Sequence, residues 1–541
     1  MEGHKSKGGV GLLELALGKM YHNPLVIYRE YIQNACDGLK EALNNKLIRE
    51  DERNIVISIN HTRHQITFED GGIGVPSSKI GETLVDIGNS QKSSELIGQY
   101  GIGRLIAARY CDRIIFETSY MGEATMSRLI WDTNKAFQMI DNKEEPDFTK
   151  IIDAVTTHIT YNEEADQHYF RVTLDNVYDF DLLDEDKIYD FIAQTAPVDF
   201  TFEFKDEMLK KALENNPDFK ELMSREGTYR ITLNKRDVRK LYQSKVNDIQ
   251  LTEPEFFYID DINFGHLAWG WYSLPINITE MNDSPFRGIR LRKSNMAIGL
   301  ESILTEYFPK NVDAFHFVGE LYIIHSQIEP SGSRDGIGVS NAATAFKYEL
   351  NLKCKELHDL YTKVYRFGND FLKKISQTYI EVSRDKIELK KVEDKEQKKE
   401  LKAKIKRAET EIATKIKDMA AKKEELATIK GSASLIEAFT THNEAVHKEK
   451  INKHNGSKSK DKGTQIKEIS ISEISEEFKH QTENGENIDD VPSTPDPLDN
   501  LPKNTRNIID VVKRVIDSEP ALTDIMRESI MNKIIKKVSK K

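Results

Sequence analysis

The most informative stretch of the chain is Tyr28-Arg29-Glu30-Tyr31-Ile32-Gln33-Asn34-Ala35-Cys36-Asp37-Gly38. Its polar residues Glu30, Asn34 and Asp37 are four and three positions apart, so a helix places them within roughly 60° of one another. The apolar residues Tyr28 and Ile32 fall on the opposite face. Taken alone, the pattern is also typical of an amphipathic helix that shows a charged stripe to water. Its meaning therefore depends on the residues that follow.

The segment after this helix predicts a β-hairpin that ends in an acidic, glycine-rich turn. Isoleucines alternate at period two in residues 54–59, and a polar turn separates them from a second apolar run in residues 65–68. The second strand leads into Glu69-Asp70-Gly71-Gly72-Ile73-Gly74. Close glycines let the backbone turn sharply, so Asp70 can hold its carboxylate beside a ligand.

A second glycine-rich segment stands at the entrance to an apolar helical run. It follows Lys92 and reads Ile97-Gly98-Gln99-Tyr100-Gly101-Ile102-Gly103-Arg104-Leu105-Ile106-Ala107-Ala108. Free backbone N–H groups and the helix dipole bind phosphate at such an entrance. The segment is not a Walker motif, because no Gly-Lys-Ser/Thr closes it, and it lacks the spacing and downstream acid of a Rossmann fingerprint.

In this order and spacing, the three motifs resemble the nucleotide-binding motifs of the GHKL superfamily, which contains gyrase, heat-shock chaperones, histidine kinases and MutL. Within it the sequence is most similar to the ATPase domain of the ninety-kilodalton heat-shock chaperones. The resemblance implies an α+β fold that begins with a Bergerat-type α/β sandwich. It also implies that the protein binds ATP and Mg²⁺ and slowly hydrolyses ATP to ADP and phosphate.

The resemblance gives each motif residue an expected role. Glu30 would activate the attacking water, Asn34 would ligate magnesium, and Asp70 would accept a hydrogen bond from the adenine amino group. Asp37 resembles the second acid of the helix motif, and the alternative of a hydrogen bond that braces the glycine turn stays open. The other nucleotide-binding candidates are Gly72, Gly74, Lys92, Gly98, Gln99, Gly101, Ile102 and Gly103.

Two features of the motif region remain open. Arg29 resembles the arginine that the family carries beside the base, and a surface ion pair is the alternative. The superfamily usually has a Gly-Thr before a late strand of this domain. Neither Thr157 nor Thr173 has that setting, so this contact is unassigned.

The second part of the chain resembles the middle domain of the same chaperones. A basic strand is expected at 286–295 and an apolar strand at 317–325, followed by Glu329-Pro330-Ser331-Gly332-Ser333-Arg334-Asp335-Gly336. This run is similar to a catalytic loop whose arginine reaches the γ-phosphate, which makes Arg334 the expected second catalytic residue. A loop pair between Arg334 and Asp335 is one alternative. Lys293 is the alternative cation, since other superfamily members use a lysine from this domain.

The last third of the chain departs from the chaperones. Apolar residues at 401, 405, 408 and 412 step by four, three and four, which indicates a coiled coil or a helical hairpin. A coiled coil after the ATPase and middle domains is similar to the Microrchidia ATPases. The expected domains are a GHKL ATP-binding domain at 1–180, a middle (transducer) domain at 181–370, a coiled coil or hairpin at 371–435, a flexible linker at 436–503 and short C-terminal helices at 504–541.

Composition narrows the class of protein further. The chain has 541 residues and a net charge of -11, which argues against a uniformly basic nucleic-acid binder. No apolar run reaches the length of a membrane span, and the first residues show no signal peptide, so we expect a cytoplasmic protein without a membrane partner. Three scattered cysteines suggest neither disulfides nor a zinc site.

The resemblance implies an ATP-dependent molecular clamp that forms a homodimer when ATP binds and acts on a protein client through its C-terminal region. The alternative is a Microrchidia-like clamp that engages DNA, for example in defence against foreign DNA. Arg287, Arg290, Arg292 and Lys293 and the lysine-rich coil favour this alternative. The acidic total and the chaperone-like motifs favour the first function.

Overall fold

The structure is a computed structural model that describes residues 23–86, 103–143, 145, 147–246, 248–277, 281, 284–429, 431–457 and 465–483. The chain divides into two compact units, residues 1–471 and residues 472–541. The fold described below is that of the first unit, except for the helix at Ile471–Glu483, which belongs almost wholly to the second. The short C-terminal helices expected at 504–541 lie outside the described residues.

The described residues combine helices and strands, which confirms the prediction of an α+β fold. The α-helices are α1 (Val26–Asn44), α2 (Thr133–Asp141), α3 (Phe148–Val155), α4 (Glu185–Thr195), α5 (Phe202–Phe204), α6 (Lys210–Glu214), α7 (Pro217–Arg225), α8 (Asn341–Phe367), α9 (Lys374–Leu389), α10 (Lys395–Ala427), α11 (Ser432–Ser457) and α12 (Ile471–Glu483). The strands are β1 (Asn54–Asn60), β2 (Gln65–Asp70), β3 (Cys111–Ser119), β4 (Thr125–Asp132), β5 (Thr156–Asn162), β6 (Tyr169–Val177), β7 (Arg230–Leu233), β8 (Arg236–Val238), β9 (Lys245–Val246), β10 (Ile249–Gln250), β11 (Glu255–Asp261), β12 (Gly265–Ser273), β13 (Gly288–Lys293), β14 (Met296–Ile298) and β15 (Val318–Ile323).

The first sheet has eight strands in the order β5-β4-β3-β6-β2-β1-β7-β8. β1 and β7 pair in parallel, and the other neighbours pair antiparallel. Alternation places Ile55, Ile57 and Ile59 of β1 in the core, where α1 covers them with Ile32 and Leu39. The predicted hairpin and the predicted apolar face of α1 are therefore present.

The first sheet extends beyond the predicted domain boundary at residue 180. β7 and β8 complete its edge, and Ile188 and Ile192 of α4 belong to the same core. A boundary at 180 therefore cuts through this core. Strands of four and three residues are too short for alternation to reveal them in the sequence.

The second sheet has five strands in the order β11-β12-β15-β13-β14. Its core contains Trp269 and Trp271, which pack with Phe204 of α5. α8 contacts β11 and β12. The two expected strands of the middle domain are β13 and β15, which pair in parallel from Gly288 to Lys293 and from Val318 to Ile323.

The region after the second sheet is helical. α9 and α10 pack against each other across a short turn, and ion pairs join Lys404 to Asp385 at 2.8 Å and Lys386 to Glu409 at 2.6 Å. This is the helical hairpin, one of the two arrangements predicted for 371–435.

The flexible linker predicted at 436–503 is wrong over its first part, because α11 runs from Ser432 to Ser457. Ile436 and Phe439 are buried, and Phe439 packs directly on the backbone of Gly368. Residues 447–454 are mostly lysine, histidine and other polar residues, so the sequence does not show a clear apolar face for this helix. α12 also lies within the predicted linker.

The three cysteines, Cys36, Cys111 and Cys354, are unpaired and buried, as expected for a chain without disulfides. In the part of the chain that the structure describes, no helix has the length and apolar character needed to span a membrane.

Candidate functional site

The polar face of α1 is buried. The exposed fraction is 8% for Glu30 and 3% for Asp37, so the interpretation of this face as a solvent-exposed stripe is wrong. The Asn23 side chain accepts a hydrogen bond from the Leu25 backbone N–H, and the helix begins one residue later, at Val26. Carboxyl groups buried on one face of a helix are uncommon, so this face of α1 is a candidate functional site.

Glu30 lies against the end of the glycine-rich segment. A Cβ placed on Gly103 would come within 2.7 Å of Glu30 Oε2, so the backbone approaches the carboxylate as closely as glycine allows. The Tyr31 hydroxyl donates to the carbonyl of Arg104 at 2.8 Å and ties the same segment to α1. The other predicted residues of this segment, Lys92, Gly98, Gln99, Gly101 and Ile102, lie outside the described residues.

Asp70 ends β2 and is buried beside the C-terminal half of α1. The Gly72 backbone N–H donates to Asp70 Oδ1 at 2.8 Å, and the Ile73 N–H donates to the carbonyl of Gly38 at 3.1 Å. A Cβ on Gly72 would lie 2.8 Å from the backbone of Gly38, so the turn and the helix touch. Burial raises the pKa of Asp70 to about 8, so its buried environment favours the protonated form of the carboxyl group.

The turn after Asp70 reaches β3 and β6. Gly74 has a φ of +73°, and a Cβ there would overlap the carbonyl of Ser119, so this position requires glycine. The Val75 N–H donates to Thr118 Oγ1 at 2.9 Å, and His168 Nδ1 lies 3.0 Å from the carbonyl oxygen of Gly72. No local sequence pattern predicts that Thr118 and His168 contact this turn, because only strand pairing brings them to it.

Neither threonine considered for the late-strand contact pairs with Asp70. In the register of β2 and β6, Asp70 lies opposite Phe170. Thr173 is further along the strand and pairs with Thr67. Thr157 is on β5, at the edge of the sheet. The threonine contact of the superfamily therefore remains unassigned.

Arg334 lies in a loop of the second sheet but reaches α1. Its exposed fraction is 4%, and within the described residues its Nε and Nη2 atoms have no hydrogen-bond partner. The pKa of Arg334 is lowered to about 10 by burial and by the neighbouring Arg29, while Glu30 and Asp37 oppose this shift. Arg334 thus lies near the buried polar face of α1, within range of the charges of Arg29, Glu30 and Asp37.

A direct hydrogen bond joins this loop to α1. Arg29 Nη2 donates to the carbonyl of Ser333 at 2.7 Å and lies 3.6 Å from Glu30 Oε1. Arg29 is buried, so a surface ion pair does not describe it. The alternative pair between Arg334 and Asp335 is also wrong, because Asp335 accepts from the hydroxyls of Ser331 and Ser333 at 2.8 and 2.6 Å.

Lys293, the alternative cation, is held within its own domain. Its Nζ donates to the carbonyl of His325 at 2.8 Å and lies 3.8 Å from Glu329 Oε1. Burial lowers the pKa of Lys293. These contacts leave Arg334 as the cation of the second sheet that faces Glu30.

The arrangement suits a magnesium nucleotide. Asn34 is half-buried on the same face of α1, one turn from Glu30. One amide oxygen is a sufficient protein ligand for Mg²⁺, which usually keeps several waters and binds phosphate oxygens. The described residues contain no cluster of three or more His, Cys, Asp or Glu side chains that could hold a metal without a nucleotide.

Comparison with known proteins gives partial matches to one kind of protein. The chaperone protein HtpG of Alcanivorax borkumensis is 30% identical over 142 residues, which cover 23% of this chain and 23% of the relative. HtpG of Rickettsia akari is 25% identical over 180 residues, or 30% of this chain and 28% of the relative. HtpG of Francisella tularensis subsp. novicida is 26% identical over 162 residues, 26% of each chain. No family model matches the chain.

The similarity supports a relationship to the HtpG-like, ninety-kilodalton heat-shock chaperones and hence to the GHKL group. The chain matches only about a quarter of the length of these relatives.

Proposed function

We propose that the protein is a chaperone-like ATPase that works as a dimeric molecular clamp. The observation that carries this proposal is the position of Arg334, a buried arginine from the loop of the second sheet that Arg29 of α1 binds at the Ser333 carbonyl, close enough to Glu30 and Asp37 for their charges to act on it. A buried cation with unpaired N–H groups in the described structure suits an anionic ligand such as a phosphate.

In the proposed reaction, Glu30 accepts a proton from the water that attacks the γ-phosphate. Arg334 stabilises the negative charge that develops on the transferring phosphoryl group. Asp70 fixes the adenine by accepting a hydrogen bond from its amino group. Mg²⁺, when bound with ATP on Asn34, would neutralise phosphate charge.

The same geometry suggests how hydrolysis is coupled to shape. Glu30 belongs to the first sheet's domain and Arg334 to the second, so the complete site exists only while the two domains are joined as they are here. We propose that ATP binding closes the glycine-rich segment and pairs two copies of the chain. Hydrolysis then separates the two copies again. The client would be a protein bound through the C-terminal region.

The structure weakens the DNA alternative. Arg290 and Arg292 are buried, and Arg292 is bonded to Glu320. Arg287 lies over the ring of Phe315. Together with the bonded Lys293, these residues form internal contacts and do not present a basic surface. The experiment described next therefore also measures whether DNA changes ATP hydrolysis.

The test is steady-state ATP hydrolysis by the purified protein, with and without double-stranded DNA, with Glu30→Ala as the blank. We expect slow turnover in the wild type that DNA does not change. Glu30→Ala should bind ATP with similar affinity and lose turnover at least about a hundredfold, since it lacks the general base. Equal turnover in both proteins would exclude Glu30 from this role, and strong stimulation by DNA would favour the Microrchidia-like function.

A further inference from the structure

A buried cluster of charged side chains joins the two sheets at a distance from the residues assigned to ATP. It consists of Lys240, which follows β8 of the first sheet, Arg292 of β13 and Glu320 of β15. All three have exposed fractions of 1% or less. The sequence analysis gave no role to Lys240 or Glu320.

Glu320 is the centre of this cluster. Its Oε2 accepts from Lys240 Nζ at 2.7 Å, and its Oε1 accepts from Arg292 Nε at 2.5 Å. Lys240 Nζ also donates to Asn295 Oδ1 at 2.9 Å. The hydroxyl of Tyr242 donates to Glu320 Oε1 at 3.2 Å. Each charged group therefore has specific partners with defined geometry.

Such a cluster is not an efficient source of stability. Removing charges from water costs several kcal/mol for each ion, and apolar residues of similar size often stabilise a core as well or better. Its better-supported use is to select one arrangement of the elements that it joins, because a displaced partner leaves a buried charge unpaired. The cluster therefore defines the relative position of the two sheets.

The contacts of Arg292 and Asn295 show which elements are held. Arg292 Nη2 donates to the carbonyl of Gln194 at 2.9 Å, at the end of α4 in the first core. Asn295 Nδ2 donates to the carbonyl of Gly227 at 3.1 Å. The next residue, Met296, is completely buried in the core of the first sheet. The turn between β13 and β14 is thus fixed to the first sheet's domain.

This turn leads to the candidate catalytic arginine. Gly299 directly follows β14, and its N–H donates to the carbonyl of Arg334 at 2.7 Å. The Arg334 N–H in turn donates to the carbonyl of Ser331 at 2.9 Å, which closes the loop. A short chain of backbone contacts therefore runs from the charged cluster to Arg334.

We propose that Lys240, Glu320 and Arg292 form a buried latch that holds the two sheets together and positions Arg334 beside Glu30. Lys240 and Glu320 are then positioning residues for ATP hydrolysis, because neither contacts the α1 face. Their effect on hydrolysis rests on the function proposed above, whereas the positioning of the loop does not.

Hydrogen exchange of the nucleotide-free protein tests the positioning directly. The Gly338 N–H donates to the carbonyl of Glu329 at 2.8 Å and so reports on the same loop. In Lys240→Met, the amides of Gly299, Arg334 and Gly338 should exchange at least about tenfold faster than in the wild type, while those of α1 and β1 stay protected. Lys205→Met, which removes an exposed lysine paired with Asp199, is the matched control and should leave the loop unchanged. Unchanged exchange of the loop in a folded Lys240→Met protein would overturn the proposal.

Glu320→Gln provides a second variant if Lys240→Met does not fold. It preserves the size of the side chain and removes the charge at the centre of the latch. We expect the same faster exchange of the loop, and exchange like that of the wild type would contradict the proposal.

A double-mutant cycle tests whether the latch acts through Arg334. Lys240→Met should lower kcat about tenfold and change the KM for ATP by less than about twofold. In the presence of Arg334→Ala, the same change should have no further effect on kcat. Effects that multiply would show that the latch does not act through Arg334. If the wild type lacks ATPase activity, the proposed function fails, while the exchange experiment still decides the positioning.

Discussion

Asp70 shows how burial changes the pKa of a side chain that could bind a ligand. The buried carboxyl group accepts a hydrogen bond from the Gly72 N–H, and the charge of the neighbouring Glu69 adds to the effect of burial. Its raised pKa is the consequence of this burial. A nucleotide whose amino group donates to Asp70 would stabilise the ionised form and lower its pKa.

The pKa of Asp70 predicts a pH dependence of stability. The native state binds the Asp70 proton more tightly than the unfolded state, so this stabilisation is complete below pH 4 and is lost as the pH rises toward about 8. The melting temperature of the nucleotide-free wild type should therefore fall more between pH 5 and pH 8 than that of Asp70→Asn. The measurement is thermal denaturation of both proteins at the two pH values. Equal falls would contradict the assignment of this proton to Asp70.

Sequence patterns revealed the residues that lie on one element or directly after it. Glu30, Asn34 and Asp37 share a helix face, and Asp70 precedes a glycine-rich turn. The local sequence pattern therefore identifies all four as candidate site residues. Thr118 joins the turn only because β3 ends beside it. A contact between residues that are 43 positions apart in sequence leaves no local pattern. Arg334 was found through resemblance alone.

Helices α8 to α11 pack closely although the sequence of α11 shows no clear apolar period. Gly368 begins a π-helical turn between α8 and α9, and the ring of Phe439 from α11 occupies the space that a side chain would need. The seam of α10 buries Ile405, Ile412 and Ile416, as its spacing predicts.

Gly368→Ala should disrupt this packing. The new methyl group overlaps the Phe439 ring, so we expect a loss of stability of about 1–3 kcal/mol and faster proteolysis of α11. The measurement is urea unfolding together with limited proteolysis. Gly81→Ala is the matched control, because Gly81 also lies in a π-helical turn and has open space around it.

Removing the Phe439 ring should allow an alanine at position 368. In a Phe439→Ala background, Gly368→Ala should cost much less stability than in the wild type, since the ring is absent. The same cost in both backgrounds would contradict the packing of α11 on Gly368.

Sequence reasoning succeeded with long or strongly periodic elements. α1, the β1–β2 hairpin and α10 were predicted from their periods. β7 and β8 were missed because they are very short, and α11 was missed because lysine and histidine residues dominate its second half.

At the scale of the whole molecule, the main result is that the two sheets are joined in an arrangement that brings Arg334 to α1. Lys240 and Glu320 are 80 positions apart in sequence, and Arg29 and Ser333 are 304 apart. No sequence pattern predicts such contacts. The family resemblance implied a clamp, but only the structure shows the contacts that would couple hydrolysis to the positions of the domains.

The clamp proposal predicts that oligomeric state depends on ATP. On this proposal Glu30→Ala should bind ATP without turning it over. In the presence of Mg-ATP it should therefore accumulate as a dimer, whereas the ADP-bound protein should dissociate at least in its N-terminal part. Sedimentation velocity and cross-linking between N-terminal domains measure this difference. Identical sedimentation and cross-linking with ATP and with ADP would exclude an ATP-driven clamp.

The most direct measurement of the central claim compares ATP hydrolysis by wild type, Arg334→Ala and Arg287→Ala. Arg287 is an arginine of the same domain that lies over Phe315, so it controls for the loss of a charge. If Arg334 acts on the transferring phosphoryl group, Arg334→Ala should lower kcat at least about tenfold and change the KM for ATP less than about threefold. Arg287→Ala should have a kcat near that of the wild type. A kcat for Arg334→Ala equal to that of the wild type would contradict the claim that the second sheet completes the site.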